Sequence, residues 1–276
     1  MDHVKAIKSY IQTMLAVPDQ HILIISGPCG WGKTTAVDEA LTLANIEGVH
    51  LGAYSTPLNF FNFLSEHTDQ VIVIDDTAGL FSDHNSMALL KAATWPQRGN
   101  KRILKWGSTT SKASTTEFEF TGKFIVVCNS FPHTPDGEAI RSRGFAWRID
   151  ITPTQAKTLL MEAAKDLKWY KSPKVATAVA EYLAARINEV TVSQISYRTM
   201  TRAYRLAEIN PDSWETLVAP LIPSSAQDPQ ALIKELAGRK LKVKEQARIF
   251  QEKTGLKARS FYYYRREANI SRNPID

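Results

Sequence analysis

The chain predicts an α/β fold: a parallel sheet carrying a phosphate loop, then a purely helical part, then a small basic module. Three observations carry this expectation. Short apolar runs alternate with helix-patterned segments through the first half of the chain, which is the signature of a parallel sheet. A glycine-rich octapeptide follows the first apolar run directly, and strand-like runs stop at Pro153.

Residues 1–20 read as an amphipathic helix with Val4, Ile7, Ile11 and Leu15 on one face. The apolar run His21 to Ser26 predicts a strand, and Gly27-Pro28-Cys29-Gly30-Trp31-Gly32-Lys33-Thr34 then satisfies the pattern G-x-x-x-x-G-K-[ST]. The chemistry follows from the residue types. Glycines let successive backbone N–H groups curl around phosphate oxygens, the next helix points its positive end at them, and Lys33 adds a full charge. Thr34 supplies a hydroxyl for Mg²⁺, Thr35 continues the loop into the helix, and the expected ligand is a nucleoside triphosphate.

The pattern continues with helix 33–45, strand 48–54, helix 57–66 and strand 71–75. That last strand, Val71-Ile72-Val73-Ile74, ends in Asp75-Asp76. Ligands gather at the carboxyl ends of parallel strands, so Asp75 is the expected Mg²⁺ ligand and Asp76 the group that polarises the attacking water. A third strand, Phe124 to Cys128, ends in Asn129, which can hydrogen-bond the water or the γ-phosphate. The segment Glu138 to Phe145 brings Arg141 and Arg143, either of which can neutralise transition-state charge.

In the order loop, Asp-Asp, Asn, Arg, the chain resembles the AAA+ ATPases, over roughly residues 1 to 222. Gly27 to Thr34 looks like Walker A, Ile72 to Asp76 like Walker B, Asn129 like sensor 1, and Ser142-Arg143 like the arginine finger that completes a neighbouring subunit's site. Ile195 to Arg202 is similar to sensor 2 of the helical lid, with Arg198 first and Arg202 in reserve. The resemblance implies ATP with Mg²⁺, hydrolysis at a shared subunit interface, and a hexameric ring or filament. One residue departs from the pattern: most AAA+ proteins carry Glu where this chain has Asp76, and the Asp-Asp pair looks more like viral superfamily-three helicases.

About fifty residues separate the Asp-Asp strand from the Asn strand, more than a simple connection needs. After a helix near Asn85 to Ala93, Lys101 to Trp106 reads as a strand, Gly107 to Thr116 as a polar tip, and Glu117 to Phe120 as a returning strand. This β-hairpin carries Lys101, Arg102, Lys105 and Lys112. Its place matches the pre-sensor-1 hairpin of hexameric helicases, which implies projection into a central channel and contact with the nucleic-acid backbone. The alternative is an edge hairpin whose lysines only prevent aggregation.

From Pro153 the helical patterns Pro153 to Lys168, Pro173 to Glu189, Arg198 to Glu208 and Asp212 to Leu221 form the expected lid, residues 153–222, behind a core of residues 1–152. Residues 223–230 read as a linker. The remainder, 231–276, reads as a helix-turn-helix, with Glu245 to Glu252 as the positioning helix, Gly255 in the turn and Ala258 to Ala268 as the recognition helix. Residues 234–276 hold twelve Lys/Arg against five acids, a charge of +7 in a chain of net +6. The excess positive charge therefore lies entirely in the tail, which indicates a polyanionic partner. Lys257, Arg259, Ser260, Tyr262, Tyr263, Arg265 and Arg266 are the expected contacts to double- or single-stranded DNA; a basic bundle that packs on protein is the alternative.

Composition narrows the rest. The two cysteines, Cys29 and Cys128, form no CxxC pair, so zinc and disulfides are not expected and a reducing compartment is. No long apolar run occurs, which predicts a cytoplasmic protein with no membrane segment. The function expected is a DNA-dependent ATPase, first a replicative helicase or helicase-like initiator of a mobile element. A helicase loader or transposition-type ATP switch and a nucleotide-sensing transcription regulator are the alternatives.

Overall fold

A computed structural model describes residues 3–77, 79–96, 100–107, 112–188, 191–222, 229–239, 241–254 and 256–268. The chain divides into two units, residues 1–150 and 151–276.

The first unit is built on a sheet of five parallel strands, β1 (Ile22–Ser26), β2 (Gly48–His50), β3 (Val71–Asp75), β6 (Lys123–Cys128) and β7 (Phe145–Arg148), in the order β2-β3-β6-β1-β7. The three central strands are the continuous apolar runs of the sequence, and Ile22, Leu23, Ile24 and Ile25 are at most 1% exposed. Burial of each such side chain stabilises the fold by roughly 1.5–3 kcal/mol. The helices α1 (His3–Ala16) and α2 (Lys33–Leu43) pack against each other. A core of Ile24, Ile72, Phe124 and Val126 with Phe60, Phe61 and Leu90 fixes α3 (Pro57–Glu66) and α4 (His84–Ala93), and Ile140 of α5 (Pro135–Arg141) joins it.

The order of the strands decides the chemistry. Insertion of β6 between β1 and β3 sets the loop after β1, the acids after β3 and Asn129 after β6 side by side at one edge of the sheet. Two elements escape the sequence pattern. The strand β7 is four residues at the sheet edge, too short for a periodic signal, and α5 is seven residues long. The second strand is also shorter than residues 48–54, with one further ladder bond from Leu51 N–H to the Val73 carbonyl.

The segment between α4 and β6 forms a separate antiparallel ladder of β4 (Ile103–Lys105) and β5 (Glu117–Glu119), with Leu104 opposite Phe118. The described part of this ladder lies along α3. Trp106 and Phe118 rings sit 5.5 and 5.1 Å from Phe61, Ser114 N–H donates to Asn62 Oδ1 at 2.9 Å, and the Asn62 amide reaches the Lys112 carbonyl. Residues 108–111 of the expected tip lie outside the described residues.

His21 immediately precedes β1, with Nδ1 buried and without a hydrogen-bond partner among the described residues. Burial, with the cations of Arg102 and Lys123 nearby, drives its pKa from the ordinary 6.5 to about 4. The folded imidazole is therefore neutral where the unfolded one has begun to bind protons. Its stabilising contribution is complete above pH 6.5 and is lost as pH falls from there towards about 4. Thermal melts are expected to show a falling Tm through that window, with a shallower slope for His21→Gln; parallel slopes for the two proteins would rule out this assignment.

The second unit contains α6 (Pro153–Ala163), α7 (Pro173–Ala184), α8 (Tyr197–Ile209), α9 (Trp214–Val218), α10 (Pro229–Ala237), α11 (Val243–Thr254) and α12 (Ala258–Glu267), and no strand among its described residues. Each of α6 and α7 starts on a Thr or Ser side-chain cap followed by Pro, as the sequence dictates. The pattern over residues 212–221 yields only α9 and one 3-10 turn, Ala219–Leu221, because Pro220 has no N–H to continue the helix. The helices α10, α11 and α12 share a core of Leu232, Ile233, Leu236, Ala247, Phe250 and Phe261. Gly255 and residues 223–228, expected as turn and linker, lie outside the described residues.

Candidate nucleotide site

The loop Gly27 to Gly32 is shaped for an anion by its glycines. Gly27 has φ +151°, and a Cβ there would lie 2.7 Å from the Ile149 carbonyl oxygen, so no other residue fits beneath the loop. Gly32, at φ 76°, caps α2 in the left-handed region with no side-chain cap on the first-turn N–H groups. Those donors and the helix dipole are left for a ligand.

Lys33 is buried, and its ammonium donates to the Gly27 carbonyl at 2.9 Å, the Pro28 carbonyl at 2.8 Å and Asn129 Oδ1 at 3.4 Å. Burial holds it below the usual lysine range, with Asp76 the largest charge pulling the other way. Thr34 Oγ1 donates to Asp75 Oδ2 at 2.8 Å. Asn129 bonds in two directions, since its N–H and Nδ2 donate to the two Asp76 oxygens at 3.3 and 3.2 Å while its Oδ1 accepts from Lys33. Lys33, Asn129 and Asp76 are thus one hydrogen-bonded chain, with the Thr34–Asp75 pair beside it. The donor set fits a polyphosphate with a hard divalent cation: backbone N–H groups and an ammonium for the phosphates, and a hydroxyl and a carboxylate for Mg²⁺.

Asp76 sits at φ 45°. That region is several-fold enriched in Asp and Asn and poor in longer side chains, which gives a backbone reason for Asp where the AAA+ pattern has Glu. Cys128, below Asn129, has its thiol pushed up to about 12 by burial, with the Asp76 charge adding, and is no thiolate at neutral pH.

The arginines are arranged differently from the expectation. Arg141 braces the loop after Asn129: its Nη2 donates to the Phe131 carbonyl at 2.7 Å, it pairs with Glu138, and it lies over the Phe131 ring at 5.2 Å. It is a positioning residue here. Arg143 donates to the Lys91 carbonyl and lies 5.7 Å from the Trp95 ring centroid. Missed by the sequence reading is Arg148, at the end of β7 in register with Ser26; a cavity of ≈270 Å³ opens there, lined by Ser26, Ser130, His133, Arg141, Trp147 and Arg148. Only prediction of β7 could have drawn notice to it. Arg198 and Arg202 lie in the second unit on the exposed face of α8, opposite the buried Met200, Ala203 and Ala207.

Among the residues expected to touch DNA, Arg102 is corrected. It is 7% exposed, and its Nη1 donates to the Ala93 carbonyl at 2.8 Å and the Gly122 carbonyl at 2.9 Å, so it ties the hairpin to the core. Lys101 and Lys105 are exposed but paired across the ladder with Glu119 and Glu117, and Lys112 is exposed. On α12, Arg265 turns inward to Gln246 Oε1 at 3.2 Å, and Ser260 is half-buried. Lys257, Arg259, Tyr262, Tyr263 and Arg266 are exposed.

Comparison with known proteins agrees with this geometry. The Novel STAND NTPase 3 family matches residues 6–93, a stretch that contains the phosphate loop and Asp75-Asp76. RuvB of Thermotoga maritima, a Holliday junction branch migration motor, matches with a TM-score of 0.50 at 13% identity over 99% of this chain and 90% of its own; a RuvB mutant matches at 0.51 and 14%, over 98% and 89%. The likeness to RuvB is one of fold. An uncharacterized 36.7 kDa protein of Enterobacteria phage T4, from the nrdC-mobD intergenic region, is 33% identical over 117 residues, 39% of this chain and 35% of that protein. The chain thus covers about a third of the length of this curated relative. No described helix is long and apolar enough to cross a membrane.

Proposed function

We propose that this protein is a DNA-dependent ATPase whose subunits share active sites in a ring or filament, and that it moves on or remodels DNA during replication of a mobile element. The observation that carries the reading is the single hydrogen-bonded chain Lys33–Asn129–Asp76 beside Thr34–Asp75. In this mechanism the loop N–H groups and Lys33 bind the β- and γ-phosphates of ATP, and Lys33 exchanges the Gly27 and Pro28 carbonyls for them. Thr34 and Asp75 would hold Mg²⁺, which would supply charge neutralisation at the phosphates. Asp76 accepts a hydrogen bond from the attacking water once Asn129 releases it, and Asn129 orients the γ-phosphate. Arg143 acts on the neighbour's γ-phosphate, with Arg198 and then Arg202 as the lid cations. The exposed cations of α12 bring the ATPase to DNA.

Unwinding, as in a replicative helicase or helicase-like initiator, is the first form of this reading. One observation favours the second, a loader or transposition-type switch: the described hairpin lies on α3 with Lys101 and Lys105 already paired. ATP turnover with and without DNA tests the common part. DNA is expected to stimulate the wild type, and an equimolar mixture of Lys33→Ala and Arg143→Ala to regain turnover that neither has alone. Turnover indifferent to DNA and no rescue on mixing would remove the shared-site mechanism. A strand-displacement assay separates motor from switch.

A further inference from the structure

The tail contains three helices with a core of their own, and its cations divide into two groups. Arg239, two residues past α10, pairs with Glu235, and Arg248 on α11 pairs with both Glu245 and Glu252. On α12 the residues facing inward are Phe261 and Tyr264, with Arg265 held by Gln246. Arg259, Tyr262, Tyr263 and Arg266 follow the spacing i, i+3, i+4, i+7 and form the opposite face, exposed along its length. Neither the Arg259 nor the Arg266 side chain has an ion pair or hydrogen bond among the described residues. The two arginines are about 10 Å apart along the axis.

Between them stand two adjacent phenol rings, Tyr262 52% and Tyr263 50% exposed, whose ring contacts are edge-on to Phe261 and Tyr264 and leave their outer surfaces in water. Packing among the described residues does not account for apolar surface held out between these two cations. The face also carries no Asn or Gln, the side chains that read adenine edges in a groove. A duplex offers phosphates and base edges and keeps its base faces stacked, whereas unpaired bases offer their faces to aromatic rings.

We propose that this face of α12 binds single-stranded DNA, with Tyr262 and Tyr263 stacked on unpaired bases and Arg259 and Arg266 on the flanking phosphates. The inference rests on the DNA-binding reading above and narrows it to unpaired strands. Stacking on one base accounts for about tenfold to a hundredfold in affinity.

The test is fluorescence anisotropy of the full chain with a labelled oligothymidylate of about 20 nucleotides and with a blunt duplex of the same length, at two salt concentrations. The single strand is expected to bind at least about tenfold tighter than the duplex. Tyr262→Ala and Tyr263→Ala are each expected to weaken single-strand binding about tenfold and to leave duplex binding unchanged, while Tyr262→Phe and Tyr263→Phe stay close to wild type because the ring, not the hydroxyl, makes the contact. Arg259→Ala and Arg266→Ala should weaken both and flatten the salt dependence. Far-UV circular dichroism melts check that the variants fold. Equal or tighter duplex binding, with both substrates weakened alike by the tyrosine changes, overturns the inference and leaves the DNA-binding reading standing. Failure to bind either DNA overturns both.

Discussion

Lys33→Ala is expected to lower ATP turnover by at least about a hundredfold, with little change in thermal stability. The ammonium is held inside the loop by two carbonyls and the Asn129 amide, and burial makes its charge costly there. A desolvated cation that meets the phosphates is worth about as much as a preorganised oxyanion donor, roughly 3–4 kcal/mol in the transition state. Its removal weakens folding little, because the group already bears a burial penalty and the Pro28 contact is only partly buried. Asn129 also loses the partner that orients its Oδ1, so part of the deficit should persist at saturating ATP. Steady-state kinetics with calorimetric ATP binding checks this. Turnover within tenfold of wild type would mean that the loop does not hold the reacting phosphate.

Arg102→Ala is expected to destabilise the first unit by about 3 kcal/mol, because two buried carbonyls lose their donor at roughly 1–3 kcal/mol each. Burial pushes the guanidinium pKa down to about 10, with the Glu119 charge pulling the other way, so it is charged at neutral pH. One of the two carbonyls, that of Ala93, ends α4, where a cation also faces the negative end of the helix. For a unit of this size the deficit corresponds to roughly 6–12 °C in Tm. DNA affinity of the folded variant should be unchanged. A variant that melts like wild type and binds DNA more weakly would return Arg102 to the nucleic-acid surface that the sequence predicts.

Arg102 illustrates why the site was legible and its surroundings were not. The phosphate loop, Asp75-Asp76 and Asn129 could be read because each is fixed by local rules: glycine torsions, a β-branched run, a polar residue at a strand end. Lys101, Arg102 and Lys105 look equivalent in a basic strand. Arg102 is buried while its neighbour Lys101 is exposed; Lys105 pairs with Glu117 directly opposite it, and Lys101 pairs with Glu119, which stands opposite Ile103. The same holds for Arg265, which points into the tail while Arg266 points out. Neither the edge strand β7 nor the docking of the hairpin on Phe61 leaves a periodic signal, because both depend on what packs alongside.

The sequence by itself determined the parallel sheet, the chemistry of the phosphate loop and the concentration of positive charge in the tail, since propensity, apolar runs and composition are properties of contiguous residues. The tertiary structure alone decided that β6 separates β1 from β3 and so joins Lys33, Asn129 and Asp76, that Asp76 takes a left-handed backbone, and which arginines are buried. These are long-range facts. They are set by which strands lie side by side and by the requirement that buried carbonyls and cations find partners, and residues far apart in the chain settle that together.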